Sequence, residues 1–340
     1  MSQQTVAITG GAGYVGSVLV PTLIRAGYQV TVLDRFWYGK DVFDELAPAD
    51  RPRLVDGDIR DPRCLDEAFK GADAVIHLAC VSNDPSFELA PEFGKSINLD
   101  AFSGILDSLK RQNVARFLYA SSSSVYGLKS EPNVHEETPC HPLTDYSRFK
   151  LDCEHILRER GLGDATWSII RPATVCGYAP RLRLDLTVNI LTIHALVNKK
   201  IRVFGGAQLR PNLHIQDMAD AYKLFLELEG SKIHGQAFNV GYENRSVANL
   251  AEEVRQTLGS DEIQISTEPT DDLRSYHISS QKVLDVLGFA PRFTIVDAVS
   301  SIASAYHAGK IPDPMTDERY YNVRRMNGLL QASSPLIQVG

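Results

Sequence analysis

Two side chains four residues apart give the first chemical signal. Tyr146 and Lys150 form Y-x-x-x-K, and residues at i and i+4 share one helix face. A free phenol has a pKa of about 10, too high for a base at neutral pH, but a neighbouring ammonium favours the phenolate. Such a pair can take a proton from an alcohol. The spacing alone is common by chance, and an ordinary helix face also explains it. A second constellation is Gly10-Gly11-Ala12-Gly13-Tyr14-Val15-Gly16, a G-x-x-G-x-x-G run between a strand-like and a helical pattern. Gly10 permits a tight turn, Gly13 lets the backbone approach a pyrophosphate, and Gly16 lets the helix pack on the strand. With Tyr14 and Val15, these residues form a candidate dinucleotide cradle at a helix N-terminus. Asp34 stands about 20 residues further on, where a carboxylate accepts both ribose hydroxyls of an adenosine. It would repel a 2′-phosphate and favour NAD over NADP, whereas Arg35 beside it can hold such a phosphate. Asp58 and Ile59 follow a third strand-like run and are candidates to frame the adenine.

These groups need a scaffold that alternates strands with helices, and the chain shows one. Residues 5–9, 29–33, 54–55, 74–78, 116–120 and 167–170 read as short buried strands. Residues 14–26, 97–112 and 146–160 carry apolar side chains at helical spacing. This alternation demands parallel strands with right-handed crossovers, so the fold class is α/β: a Rossmann-type doubly wound parallel sheet. After Pro172 the pattern loosens into a smaller, interleaved C-terminal substrate-binding domain. There, helices are expected at 184–197, 246–258 and 279–287, and strands at 202–204, 237–240 and 263–266. The expected division is a dinucleotide-binding domain over 1–172, to which 236–258 return. A substrate portion covers 173–235 and 259–312, and a tail with weak periodicity covers 313–340.

The 340 residues carry 35 Lys and Arg against 42 Asp and Glu, a net charge of −7. That balance lacks the basic excess a general nucleic-acid binder needs, although a local basic pocket for a small anion remains compatible with it. The five cysteines are odd in number and include no C-x-x-C, which reads as reduced thiols in a cytoplasmic protein. Neither H-E-x-x-H nor a close His/Cys cluster occurs, so no metal site is expected. No apolar run approaches the roughly 20 residues of a membrane span.

The segment Ser121-Ser122-Ser123-Ser124-Val125-Tyr126-Gly127 joins these parts. With T-G-G-A-G-Y-V-G, H-L-A at 77–79, Y-S-R-F-K at 146–150, Arg171-Pro172, the run from Arg210 to Asp217, and L-G-F-A-P at 287–291, the chain resembles the extended short-chain dehydrogenase/reductase family. It resembles in particular the NAD-dependent branch acting on nucleotide-sugars. The resemblance covers nearly the whole chain. It implies NAD as cofactor, a nucleotide-diphosphate sugar as substrate, and a homodimer paired through the helices at 97–112 and 146–160. It implies Ser122, Tyr146 and Lys150 as catalytic residues, with Ser122, five residues before Gly127, bonding the substrate hydroxyl. Ala120, Lys150 and Pro172 would touch the nicotinamide, and Leu78 and Ala79 would line the dinucleotide. Ser82, Asn83 and Thr174 would face the sugar. Arg181, Arg183 and Asn189 fall in the region that grips the substrate diphosphate in relatives, and Arg210 and Arg274 match phosphate-binding arginines.

The related sugar 4,6-dehydratases carry Asp and Glu where Ser123 and Ser124 stand, and hydroxyls do not replace a general-acid carboxyl. Dehydration is therefore disfavoured, and of the remaining fates the one most frequent in the family is expected, an epimerase working through a transient keto-sugar, most plainly at C4. A dehydrogenase that releases the keto-sugar and a non-catalytic NAD-binding regulator are the alternatives.

Overall fold

The computed structural model describes residues 4–82, 89–129, 132–270, 275 and 277–331. Its described strands are β1 (Thr5–Thr9), β2 (Gln29–Asp34), β3 (Arg53–Asp56), β4 (Ala74–His77), β5 (Arg116–Ala120), β6 (Thr166–Pro172), β7 (Thr174–Cys176), β8 (Lys200–Phe204), β9 (Leu209–His214), β10 (Gln236–Val240), β11 (Glu243–Ser246) and β12 (Gln264–Glu268). The main sheet runs β10-β6-β5-β4-β1-β2-β3, and every neighbouring pair is parallel. The strand order reverses between β1 and β4, which opens a ligand crevice outside the strands' C-terminal ends.

Both faces of this sheet are covered, which is why its strands read as continuous apolar runs. Val6 and Ile8 of β1 join the core formed by the helices Gly16–Arg25 and Ile215–Glu227. Ala7, between them, points the other way, into the core of Pro62–Phe69 and Ala101–Arg111. One polar pair lies deep in the sheet: Thr9 Oγ1 and His77 Nδ1 meet at 2.6 Å across β1 and β4.

The helix expected over 97–112 starts earlier, at Pro91–Lys95, and is interrupted. Ser96–Asp100 forms a π-helical turn before Ala101–Arg111. The wider turn suits Asn98, whose side chain accepts from Val81 N at 2.8 Å and donates to Val81 O at 2.9 Å. The chain leaving β4 is thereby pinned at the crevice.

The second unit holds a three-stranded sheet, β11-β9-β7, and the pair β8-β12. The helices Thr187–Asn198, Val247–Leu258 and Ile295–His307 supply its core. The units interleave differently from the expected division. Of 236–258, β10 returns to the main sheet, while Val247, Leu250 and Val254 pack on Ile201 and Val203 of the second unit. Conversely, Ile215–Glu227, expected in the substrate portion, packs on Gly16–Arg25. The tail contains the helix Asn322–Gln331, which buries Asn322, Met326 and Leu329. That single narrow stripe explains its weak periodicity. Among the described residues, no helix is long and apolar enough to cross a membrane.

Candidate active site

A cavity of about 380 Å³ lies between the two units along the C-terminal edge of the main sheet. The sheet order sets its layout. Asp34 ends β2 and Ser122 follows β5, three strand spacings away, or roughly 14 Å.

At the β1–β2 end is the glycine cradle. Gly10 has φ +72°, and a Cβ there would sit 2.6 Å from Ala79 N, so the turn at β1 and the chain leaving β4 touch because residue 10 has no side chain. Gly10, Gly13, Tyr14, Val15 and Gly16 line the cavity. Both Asp34 carboxylate oxygens are oriented: Oδ2 accepts from Ala12 N at 2.9 Å and Oδ1 from Phe36 N at 2.8 Å. Burial pushes this carboxyl up, and those backbone N–H groups oppose the rise. Burial would also raise Asp58, but Arg60, bonded to both its oxygens, holds it below the usual carboxylate range. Arg35, Ile59, Leu78 and Ala79 complete this end.

The residues present fit a bound dinucleotide. Besides the cradle, three of the buried N–H groups that have no partner among the described residues belong here: Arg35 Nε, Trp37 Nε1 and Arg181 Nε. All three residues line this end of the cavity. Buried donors are normally satisfied, so three together call for a ligand rich in acceptors.

At the β5–β6 end stand Ser122, Tyr146 and Lys150, with Ala120, Pro172 and Thr174 beside them. The helix Asp145–Arg160 opens with a capping box between Thr144 and Ser147, which sets its first turn and so places Tyr146. Lys150 is buried, and its Nζ donates to Ala120 O at 2.7 Å. That ammonium lies 5.9 Å from the Tyr146 ring centroid. Ser122 Oγ accepts from Ser124 N at 3.1 Å, capping a short helical turn, and lies 2.8 Å from Ser124 Oγ. Behind these groups, Glu154 bonds both Ser121 Oγ and the Arg171 guanidinium, an ion pair almost wholly out of water.

The expected substrate residues divide. Ser82, Thr174, Arg181 and Arg183 line the cavity. Asn189 does not: its fully buried amide accepts from Gly177 N and donates to Tyr14 Oη and Arg183 O. It braces the wall. Arg210 also lies outside the lining, on β9, where it pairs in register with Arg245 of β11 and donates to Leu209 O. Asn83 and Arg274 lie outside the described residues.

Other lining residues carried no readable signal in the sequence. Trp37 and Tyr38 come from the loop after β2, Met218 and Tyr222 from a helix packed on the sheet, and Asn322 and Met326 from the tail. Among the described residues, no group of His, Cys, Asp and Glu is arranged to hold a metal ion.

Comparison with known proteins agrees with this fold. Residues 6–241 match the model of the NAD dependent epimerase/dehydratase family. The chain is 26% identical over 330 residues to a UDP-glucose 4-epimerase of Lacticaseibacillus casei, covering 89% of this chain and 96% of that one. It is 28% identical over 319 residues to a dTDP-glucose 4,6-dehydratase of Streptomyces niveus, with coverage of 88% and 92%. Among solved structures, the dTDP-glucose 4,6-dehydratase DesIV of Streptomyces venezuelae superposes with a TM-score of 0.82 at 22% identity, over 92% of this chain and 99% of that one.

Proposed function

The chain belongs to the NAD-dependent epimerase/dehydratase family, and from that membership we propose that it is an epimerase of nucleotide-diphosphate sugars acting through a transient keto-sugar. The observation that carries this reading is the composition of the β5–β6 end of the cavity. Ser122, Tyr146 and Lys150 converge there, and the neighbours of Ser122 are the hydroxyls of Ser123 and Ser124. The described carboxylates that line the cavity are Asp34 and Asp58, at the opposite end of the sheet. Elimination of water needs a general acid beside the reacting carbon. Transfer of one proton and one hydride does not. The dehydratases among its relatives are thus a weaker guide to its chemistry than the epimerases.

In this mechanism Tyr146 takes the proton of a sugar hydroxyl, most simply at C4. Lys150, held by Ala120 O, keeps a positive charge near the phenolate, and Ser122 orients the hydroxyl. Bound NAD would supply a reversible hydride acceptor, and inversion requires that the keto-sugar turn over in the cavity so that the hydride comes back on its other face. Tyr146 gives its proton to the carbonyl oxygen of the keto-sugar as the alcohol re-forms. Arg183, braced by Asp185 at 3.0 Å and bonded to Ser82 Oγ at 3.2 Å, lies at the sugar side. A homodimer paired through Ala101–Arg111 and Asp145–Arg160 belongs to the same reading. Light scattering that gives one chain's mass at micromolar concentration would refute the dimer.

The test of function is incubation with a panel of UDP- and dTDP-sugars, followed by mass spectrometry and separation of stereoisomers. A new stereoisomer of unchanged mass is expected. Loss of two mass units would establish the dehydrogenase instead. Tyr146→Phe should lower turnover by about a hundredfold or more, the usual size of a lost acid–base group. Turnover that survives it rules out Tyr146 as the base.

A further inference from the structure

Arg181 and Arg183 enter the cavity on one segment, but their surroundings differ. The charge of Arg183 is met by both oxygens of Asp185. Its guanidinium also lies near enough to Tyr146 to interact with it. Arg181 is 4% exposed; burial pulls its pKa down, and the opposing charge of Asp185 is already bonded to Arg183. Its guanidinium stacks on Tyr38, 3.6 Å from the ring centroid. One Nη donates to Asn322 Oδ1 at 2.5 Å, and Nε has no partner among the described residues. Its backbone N donates to Ser17 Oγ at 3.3 Å, at the start of the helix that follows the glycine cradle. A buried cation that shares its counter-charge with a second arginine is costly, and an anion in the cavity would relieve that cost.

Two anions are candidates, the dinucleotide pyrophosphate and the sugar diphosphate. The neighbours of Arg181 favour the first. Tyr38 lies four residues past Asp34, Ser17 lies one residue past Gly16, and the charge of Arg181 is felt by Asp34. These positions belong to the β1–β2 end, away from Ser122 and Tyr146.

The third neighbour, Asn322, comes from the tail. Its Nδ2 donates to Ser82 O and Oγ, so one side chain ties Arg181 to the loop after β4. Three residues on, Arg325 Nε donates to Trp37 O at 2.6 Å and its guanidinium pairs with Glu318. Leu184 N donates to Tyr320 O at 2.9 Å. The segment 318–331 therefore touches the loop after β2, the loop after β4 and the arginine segment together.

We propose that Arg181 is a cofactor residue serving the phosphates of the dinucleotide, and that segment 318–331 is a latch holding it over the cofactor. This rests on the dinucleotide reading of the same cavity. The latch controls how fast NAD leaves. It leaves the sugar site to Arg183.

The test uses the full chain loaded with NAD. NAD release is followed by stopped dilution, and retention after gel filtration by the ratio of absorbance at 260 and 280 nm. UDP and dTDP affinities are measured in saturating NAD by calorimetry. Asn322→Ala and Arg181→Lys should each speed NAD release by about tenfold or more, the loss expected for a hydrogen bond to a charged group. UDP or dTDP affinity should stay within about twofold, while Arg183→Ala should show the reverse pattern. Should Arg181→Lys fail to fold, Arg325→Ala, which frees the latch from Trp37 without touching Arg181, should still speed release. Release at the wild-type rate in Asn322→Ala overturns the latch. Weaker UDP or dTDP binding in Arg181→Lys with unchanged NAD release assigns Arg181 to the sugar diphosphate and overturns the proposal. Wild-type protein that binds no NAD overturns both the latch and the family reading of the cavity. Tight NAD binding without sugar turnover removes the epimerase reading alone, because the release assay does not depend on turnover.

Discussion

Ser122 has more claims on its hydroxyl than a free serine. A hydroxyl offers one donor and two acceptor sites. Ser124 N occupies one acceptor, and the Ser124 hydroxyl lies at hydrogen-bond distance. When Ser124 donates, both acceptor sites of Ser122 are filled, and its own proton is aimed at whatever enters the cavity. Ser124 is then a positioning residue for Ser122. Ser122→Ala should lower kcat by about 10²-fold with KM little changed, since the bond matters most as the proton moves. Ser124→Ala should cost about two- to tenfold in kcat, the size of one neutral hydrogen bond. Steady-state kinetics on both variants checks the ranking, and a larger loss in Ser124→Ala than in Ser122→Ala would refute it. Ser122 was identifiable by its distance from Gly127, but its bond to Ser124 was not, because a run of four serines does not say which hydroxyl turns toward which.

The elements that carry these residues are bolted together behind the site. Glu154 lies two turns along the helix from Tyr146, and Arg171 lies near the end of β6. Their side chains, 1% and 5% exposed, form a bidentate pair that also takes the Ser121 hydroxyl and, through Arg171, the Tyr126 hydroxyl. Breaking such a pair leaves a charge stranded, at a cost of about 3–5 kcal/mol. Arg171→Met should lose that much in urea unfolding, whereas Arg171→Met with Glu154→Leu should recover a large part of it. Equal stability of the single and double variants would show that the pair is not coupled. The helix Asp145–Arg160 and the six first strands were readable because each is long or apolar enough to show its period. By contrast, β9 contains Pro211 and Asn212, and β11 is Glu-Asn-Arg-Ser, so neither looks like a strand. They form because each pairs with the other, a non-local cause that no short window contains. The π-helical turn at Ser96–Asp100 was hidden for a similar reason, since its partner is the backbone of Val81.

At the scale of the molecule, the net charge of −7 coexists with one buried and one half-buried arginine on a single cavity, Arg181 and Arg183, so the chain average is a poor guide to the site. The link between Arg181 and Asn322 spans 141 residues, and nothing in the tail's spacing announces it. The two units also share a core: Val6 and Ile8 of β1 belong to the same buried cluster as Leu213, Ile278 and Ile302. Unfolding should therefore be a single transition. Burial lowers the pKa of the His194 imidazole and, by a larger amount, those of His77 in β4, pushed down to about 3, and His214 in β9, pushed down to about 4. Unfolded, His77 and His214 bind a proton below about pH 6.5. Between that value and the folded pKa, the unfolded chain holds more protons, so stability rises with pH and is lost on acidification. At pH 5 each of these two imidazoles accounts for about 2 kcal/mol of that loss. The buried carboxyls of Asp34, Glu136 and Asp217, all raised by burial, act in the opposite direction, so the total slope is a poor measure of either histidine. A difference between variants isolates one of them. His214→Gln keeps an acceptor for Gln216 N, which the imidazole Nδ1 now receives at 3.1 Å. Urea melts at pH 7 and pH 5 should show the variant losing about 2 kcal/mol less than wild type on acidification. Equal losses would mean that His214 takes up its proton without unfolding, and would place its pKa near the ordinary value.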